Sequence, residues 1–300
     1  MKDKYIGVYD SGIGGLSIVN SIIQDNPDIN IKYIADTKLF PLGDKSAEVI
    51  LNRMKCVTEY LFDNGCDLVI LACNTATVNS IRVLQENLIK SENFKHKNVL
   101  GMSALITEDV RDYIKEGNIC SVNSKTLINI ILLGTKATIN SGLYQDELIK
   151  LSPNISVLPV ACYGLADAIE RQKSVYDEEV RKVFTANIEK LSKESGDLTI
   201  NAIVFACTHY GFAKDNIVNI IRSRFKKNKN NKIQIIDPAT NAGLKTKLYL
   251  SKQPQYLPQY SNKLEFIQTE NKVESIANIS KYLLNAKKSN YNITISTIDI

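Results

Sequence analysis

Val69-Ile70-Leu71-Ala72-Cys73-Asn74-Thr75-Ala76 and Ile203-Val204-Phe205-Ala206-Cys207-Thr208-His209-Tyr210 are two copies of one pattern. In each, an apolar run ends in Ala-Cys and continues with Asn or Thr, then Thr or His. An apolar run this short reads as a strand buried on both faces, as in a parallel sheet. The cysteine then falls at the carboxyl end of its strand, followed by residues suited to opening a helix. In open α/β sheets that is where ligands bind. Two such cysteines, in different halves of the chain, predict a pseudo-symmetric pair of thiols facing one site from opposite sides. That geometry suits removing a proton from one face of a carbon and returning it to the other.

Outward from these strands, short apolar runs alternate with helical patterns, which predicts α/β architecture. Strands are expected at 6–10, 31–36, 67–72, 98–102, 127–134, 155–161, 201–206, 233–237 and 264–269. Between the second and third, residues 46–64 place Ile50, Met54, Val57 and Leu61 on one helical face. Gly65 follows as a C-terminal stop, and Asp237-Pro238 ends a strand and opens a helix with proline at its tolerated first position. The halves match beyond the cysteines. Tyr5 to Gly15 is a strand running into a Gly-rich turn, and Ile130 to Ser141 is a strand running into a Gly-Thr turn. The expected plan is two pseudo-symmetric α/β domains, each a mostly parallel sheet flanked by helices, with the active site between them. One domain takes residues 1–99 plus a returning segment 213–300; the other takes 100–212. Residues 117–125 read as an inserted surface loop, and the last ten residues as a loose tail.

Composition narrows the partners. Three hundred residues with 44% apolar content can build two real cores. Lys+Arg 37 against Asp+Glu 32 gives +5, too mild a surplus to argue for nucleic acid. Part of it sits in residues 226–232, a Lys/Asn run without aromatic residues for base stacking, read as a solvated turn. No stretch approaches a membrane span. The N-terminus runs into a strand without a signal-peptide core. The six cysteines (56, 66, 73, 120, 162 and 207) show no CxxC pairing, so a reduced, cytoplasmic protein is expected. His96 and His209 are not spaced with cysteines as zinc ligands are, and His96 reads as a surface residue.

The candidate chemistry follows from residue types. A thiol is a poor base until ionised, and a helix N-terminus or a neighbouring donor supplies thiolate. Alone, either cysteine reads as a small buried hydrophobe; the duplicated polar followers argue otherwise. Asp10 and Ser11 precede Gly12-Ile13-Gly14-Gly15 and read by themselves as helix caps. A dinucleotide site, with Asp36 as its ribose acid, fails on spacing because the third glycine position is Ser17. His209, two residues after Cys207, is placed to stabilise a thiolate or relay its proton. Glu170 by itself reads as an ordinary helix acid.

Taken in order, Asp10-Ser11-Gly12-x-Gly14-Gly15, Ala72-Cys73-Asn74-Thr75-Ala76 and Cys207-Thr208-His209-Tyr210 resemble the glutamate racemases of the cofactor-independent aspartate/glutamate racemase superfamily. Tyr33 to Thr37 leading to Pro41-Leu42-Gly43-Asp44-Lys45-Ser46 is similar as well. So are Gly134-Thr135-x-Ala137-Thr138-x-x-Ser141-x-x-Tyr144, the stretch from Ala161-Cys162 to Glu170, and Ile236-Asp237-Pro238. The resemblance implies an isomerase that needs no cofactor and no metal, acts on L- and D-glutamate, and supplies D-glutamate to cell-wall precursors. It implies Cys73 and Cys207 as the two acid/base residues, Asp10 beside the first, and His209 and Glu170 beside the second. Ser11, Pro41, Leu42, Gly43, Asn74, Thr75, Thr138 and Thr208 would hold the substrate, together with Asp10 and His209. A small molecule is the expected partner, without nucleic acid or membrane, and a homodimer is compatible with the resemblance. Aspartate racemase and a non-catalytic amino-acid-binding relative are the alternatives. Two departures stand out: Leu42 where the family carries tyrosine, and Gly211 where it carries proline.

Overall fold

The structure is a computed structural model that describes residues 3–117, 127–171, 177–225, 233–270, 282–283 and 290–300. By proximity along the backbone the chain divides into two compact units, Met1–Met102 with Ala239–Ile300, and Ser103–Pro238.

The first unit is a six-stranded, wholly parallel sheet. Its strands are β1 (Tyr5–Asp10), β2 (Ile31–Ala35), β3 (Cys66–Leu71), β4 (Asn98–Gly101), β9 (Lys263–Gln268) and β10 (Asn292–Thr297). They lie in the order β10-β9-β2-β1-β3-β4. Every residue of β1 and β2 is buried, as expected of strands covered on both faces by crossover helices. Those helices include α1 (Leu16–Asp25), α2 (Ala47–Asp63) and α3 (Asn74–Val83). Ser46 caps α2 by accepting from the Val49 N–H, and Ile50, Met54, Val57 and Leu61 form its buried face. Gly65 follows at φ +90, a backbone only glycine adopts without strain.

The second unit repeats the plan. Its strands are β5 (Ile128–Gly134), β6 (Ile155–Ala161), β7 (Ala202–Ala206) and β8 (Gln234–Ile236), in the order β6-β5-β7-β8. That is the order β2-β1-β3-β4 over again, all parallel. Helix α4 (Met102–Lys115) precedes β5, and α5 (Lys136–Asn140), α6 (Leu143–Ile149), α7 (Leu165–Glu170), α8 (Glu178–Ser195) and α9 (Lys214–Arg224) connect the strands. Val180, Phe184 and Ile188 of α8 and Ile217 and Ile221 of α9 pack with the strands into one apolar core.

Two expectations need correcting. The chain returns to the first unit at Ala239, not at 213, because β8 pairs with β7 and α9 packs on α8. The last ten residues are not a loose tail: β10 is an edge strand, in register from Asn292 opposite Lys263 to Thr297 opposite Gln268. The loop read at 226–232, and all but the first residue of 117–125, lie outside the described residues. The returning helix α10 (Ala242–Lys252) docks on α1 at backbone contact. A Cβ on Gly243 would fall 2.0 Å from the Ser21 carbonyl oxygen. The Gly243 N–H donates to the Ser21 hydroxyl at 2.9 Å, and the Asn26 amide donates to the Gly243 carbonyl at 3.0 Å.

At the carboxyl end of β2, the fully buried Asp36 receives the Arg53 guanidinium through Nε and a terminal nitrogen, both at 2.7 Å. The Tyr9 hydroxyl donates to the same carboxylate at 3.0 Å and the Thr269 hydroxyl at 2.8 Å. The acid that a ribose would have needed is thus fully occupied, and its partners tie β1, β2, α2 and the end of β9 together. Removing one side of a buried pair leaves the other charge without compensation, at a cost of about 3–5 kcal/mol. Arg53→Met should therefore lower unfolding stability by that amount in urea titration. Arg53→Lys should recover only part of it, since lysine lacks the two-pronged fork. A native midpoint in Arg53→Met would show that the pair contributes nothing net.

Candidate functional site

In the first unit, β1 is followed by a crossover to β2 on one side, and the chain later returns to place β3 on the other. The slot at the carboxyl ends of β1 and β3 lies at this reversal, where no crossover covers it. Asp10, Ser11 and Cys73 all stand there. Asp10 is the last residue of β1, fully buried, and its Oδ1 accepts from the Gly12 N–H at 3.0 Å. That bond folds Ser11-Gly12 back over the strand end, and the Tyr33 hydroxyl holds the turn by donating to the Gly12 carbonyl at 2.6 Å. A Cβ on Gly15 would sit 2.6 Å from Asp10 Cβ, so only glycine lets α1 start this close to the carboxylate.

Cys73 is the N-cap of α3, with extended backbone and its carbonyl accepting the first helical bond from Thr77 at 2.9 Å. Its thiol therefore stands at the positive end of the helix, beside the Ser11 hydroxyl at 3.8 Å. Asn74 and Thr75 fill the first turn of α3, both buried. Thr77, which the sequence reading passed over, locks this turn to the sheet. Its hydroxyl donates to the Leu71 carbonyl at 3.1 Å and accepts from the Met102 N–H at 3.2 Å. The loop Pro41-Leu42-Gly43 begins at a cis peptide bond and forms a short 3-10 turn, Leu42–Asp44, that packs against α3. Leu42 is 1% exposed; it is a packed apolar residue and brings no hydrogen-bond donor.

The second unit reverses direction between β5 and β7, and the corresponding residues are Thr138 and Cys207. Thr135 caps α5 by accepting from the Thr138 N–H, and the two threonine hydroxyls lie 3.0 Å apart. Cys207 and Thr208 follow β7 in a tight turn, with the Tyr210 N–H donating to the Cys207 carbonyl at 3.2 Å. Behind the thiol, His209 points Nδ1 at the Cys207 sulfur, 3.9 Å away, and Nε2 at Glu170 Oε2, 2.5 Å away. Glu170 ends α7, and its approach to His209 makes it a partner of the imidazole, a role its own sequence neighbourhood did not disclose. Burial alone would pull His209 down, but its bonds to Cys207 and Glu170 and their charges outweigh that and hold it well above the usual histidine value. A ring protonated on both nitrogens donates to sulfur and carboxylate at once.

The remaining thiols are set apart. Cys56 is exposed, and Cys66 and Cys162 are buried. Cys66 opens β3 at the end opposite Cys73, and burial pushes its thiol up to about 12. His96 is exposed, as read. Among the described residues no three of His, Cys, Asp and Glu gather as metal ligands do, and no helix is long and apolar enough to cross a membrane.

This pair of units is the architecture of the α/β amino-acid racemases. The fold matches the crystal structure of glutamate racemase from Francisella tularensis in complex with D-glutamate, with TM-score 0.77 and 23% identity over 100% of this chain and 98% of that one. It also matches glutamate racemase isoform RacE1 from Bacillus anthracis, with TM-score 0.75 and 24% identity over 100% and 99%. No family model matches the chain. In sequence it is 30% identical over 239 residues to the glutamate racemase of Lactobacillus helveticus, covering 80% of this chain and 78% of that one. It is 32% identical over 219 residues to that of Ralstonia pickettii, covering 73% and 69%. The chain belongs to the glutamate racemase family.

The His209–Glu170 pair carries a pH signature. A histidine raised on folding contributes stability that is complete below its unfolded value, about 6.5, and lost as pH climbs through the folded value. Glu170→Gln removes the carboxylate charge. It should cost about 1–3 kcal/mol near pH 6, with the gap to native protein closing as the solution is made alkaline. Thermal unfolding across pH measures this, and a loss independent of pH would mean that the pair only packs.

Proposed function

We propose that the chain interconverts L- and D-glutamate by cofactor-independent proton transfer, with Cys73 and Cys207 as the two acid/base residues. The observation that carries this reading is the duplication: two units of one strand order, each with a cysteine where its strand order reverses. Inversion at an α-carbon requires a base on one face and an acid on the other. One thiol enters each turnover as thiolate and takes the α-proton; the other enters protonated and delivers its proton to the opposite face. Their states are then exchanged, and the reverse reaction begins from that arrangement.

The α-proton is very weakly acidic, so negative charge must be met where it develops, on the substrate carboxylate. Ser11, Asn74 and Thr75 in the first unit, and Thr138 and Thr208 in the second, are the donors assigned to the substrate. The loop Pro41-Leu42-Gly43 is assigned as a wall that contributes backbone groups. Asp10 beside Cys73, and His209 backed by Glu170 beside Cys207, set the protonation of their respective thiols. Fixed geometry adds to basicity in lowering the barrier. Glutamate, over aspartate or a purely binding role, is favoured by the family membership and by the presence of both thiols and His209.

Purified protein should racemise glutamate, followed by circular dichroism, with aspartate turned over far more slowly. Cys73→Ala and Cys207→Ala should each reduce the rate by about 10²–10⁴-fold or more while keeping the native far-ultraviolet spectrum. In deuterated water each product molecule should carry deuterium at the α-carbon by NMR. Product retaining its original hydrogen would replace two bases with one. Faster turnover of aspartate would overturn the substrate, and no turnover of either would leave a binding protein.

A further inference from the structure

The second unit holds a third thiol and a phenol to which the proton-transfer scheme gives no task. Ala161 at the end of β6 and Ala206 at the end of β7 both pair with Gly134 of β5, one on each side. Two strand spacings of about 4.7–4.9 Å therefore separate the backbones that carry Cys162 and Cys207. This is beyond the ~7 Å limit for a disulfide, so the two sulfurs are not a redox pair. Tyr210 packs in the same apolar core as both cysteines, and its ring meets Phe205 edge-on, with centroids 6.4 Å apart.

The Tyr210 hydroxyl is fully buried, and no group among the described residues, sulfur included, completes a hydrogen bond with it. Its polar neighbours are the sulfurs of Cys162 and Cys207. Cys162 keeps its proton, since burial pushes that thiol far up and its S–H donates to the Val160 carbonyl at 3.7 Å. Its sulfur lone pairs remain open to the phenol. A hydroxyl proton is a rotor that turns to the better acceptor, and a thiolate is a far better acceptor than a thiol.

We propose that Tyr210 is a positioning residue for Cys207: its O–H turns to the Cys207 sulfur when that sulfur is a thiolate, and back to Cys162 when Cys207 carries the proton. The phenol thereby supplies in a dry site the donor that water would supply in solution. The groups set around Cys207 in its own unit are then His209 on the same turn, Glu170 of α7 behind it, Cys162 after β6, and Tyr210.

The inference rests on Cys207 being an acid/base thiol, and its test needs no turnover. Iodoacetamide labelling at Cys207, followed residue by residue by mass spectrometry across pH, reads the fraction of thiolate. Tyr210→Phe removes only the hydroxyl and should move the labelling midpoint up by about one to two pH units, the size of a lost hydrogen bond to a charged group. Cys162→Ala removes the competing acceptor and should move the midpoint down. With glutamate, Tyr210→Phe should lower kcat about tenfold at neutral pH, one unit of such a shift, and leave KM unchanged. A structural role would lower the melting temperature of both variants without displacing their midpoints in opposite directions. An unmoved midpoint in Tyr210→Phe, or shifts of the same sign in both variants, overturns the proposal. Should Tyr210→Phe not fold, Cys162→Ala decides alone: a midpoint that rises or stays refutes it. Failure of racemisation with these shifts intact would refute the function and leave the pairing standing.

Discussion

The candidate site residues at the strand ends depend on a constraint of chain routing. In a parallel sheet each crossover must carry a helix over one face, and the helix must start beside the strand it leaves. Where two successive crossovers leave in opposite directions, their helices diverge and the strand ends between them stay open. The first unit meets this between β1 and β3, the second between β5 and β7. No side chain creates these openings, but the residues at the strand ends inherit them. Asp10, Ser11 and Cys73 are there because their strands end there, and the same holds for Thr138 and Cys207.

One routing furnished twice does not yield the same chemistry twice. Cys73 stands on a helix N-terminus with a hydroxyl at hand, so its surroundings are mostly backbone dipole and neutral donor. Cys207 leads into a short 3-10 turn, Tyr210–Ala213, with little dipole, and has instead an imidazole braced by a carboxylate. One arrangement surrounds its sulfur with main-chain dipole and a neutral hydroxyl, the other with an imidazole that carries a mobile proton. A pair of thiols that must trade protonation states can tolerate unlike neighbours so long as neither state is trapped. Gly211 belongs to the same economy of space: a Cβ there would lie 2.5 Å from Asp237 Oδ2, so the turn after His209 is open to that carboxylate only because the residue is glycine.

Much of this was legible in the chain because burial on both faces writes an unbroken apolar run. Strands β1, β3, β5 and β7 are such runs, and the duplicated Ala-Cys marks their open ends. The edge of the sheet left a fainter trace. Asn292–Thr297 alternates isoleucine with polar residues and is mostly exposed, so it lacks the density by which the central strands declare themselves. The return point was misread for a related reason: β8 is three residues long, too short a run to show which sheet it joins. Glu170 came into the site only through the family resemblance, because helical periodicity reports which face is buried, not which residue 39 positions away lies against it. Asp36 shows the converse, a carboxylate whose place at a strand end suggested a ligand and whose four donors are all from the protein itself.

The insertion of one unit within the other also has a consequence for the order in which the molecule can be made. Ser103–Pro238 is continuous, and its four strands find all their neighbours within that stretch. The first unit is not so placed. Until α10 and β9 emerge, β2 is a bare edge and α1 lacks the helix that closes over Ser21. During synthesis the inner unit can therefore be complete while the outer one still waits with an open strand, the state in which a chain most easily pairs with the wrong neighbour. The buried Asp36–Arg53 cluster, which takes its last hydroxyl from Thr269, closes only when that wait is over.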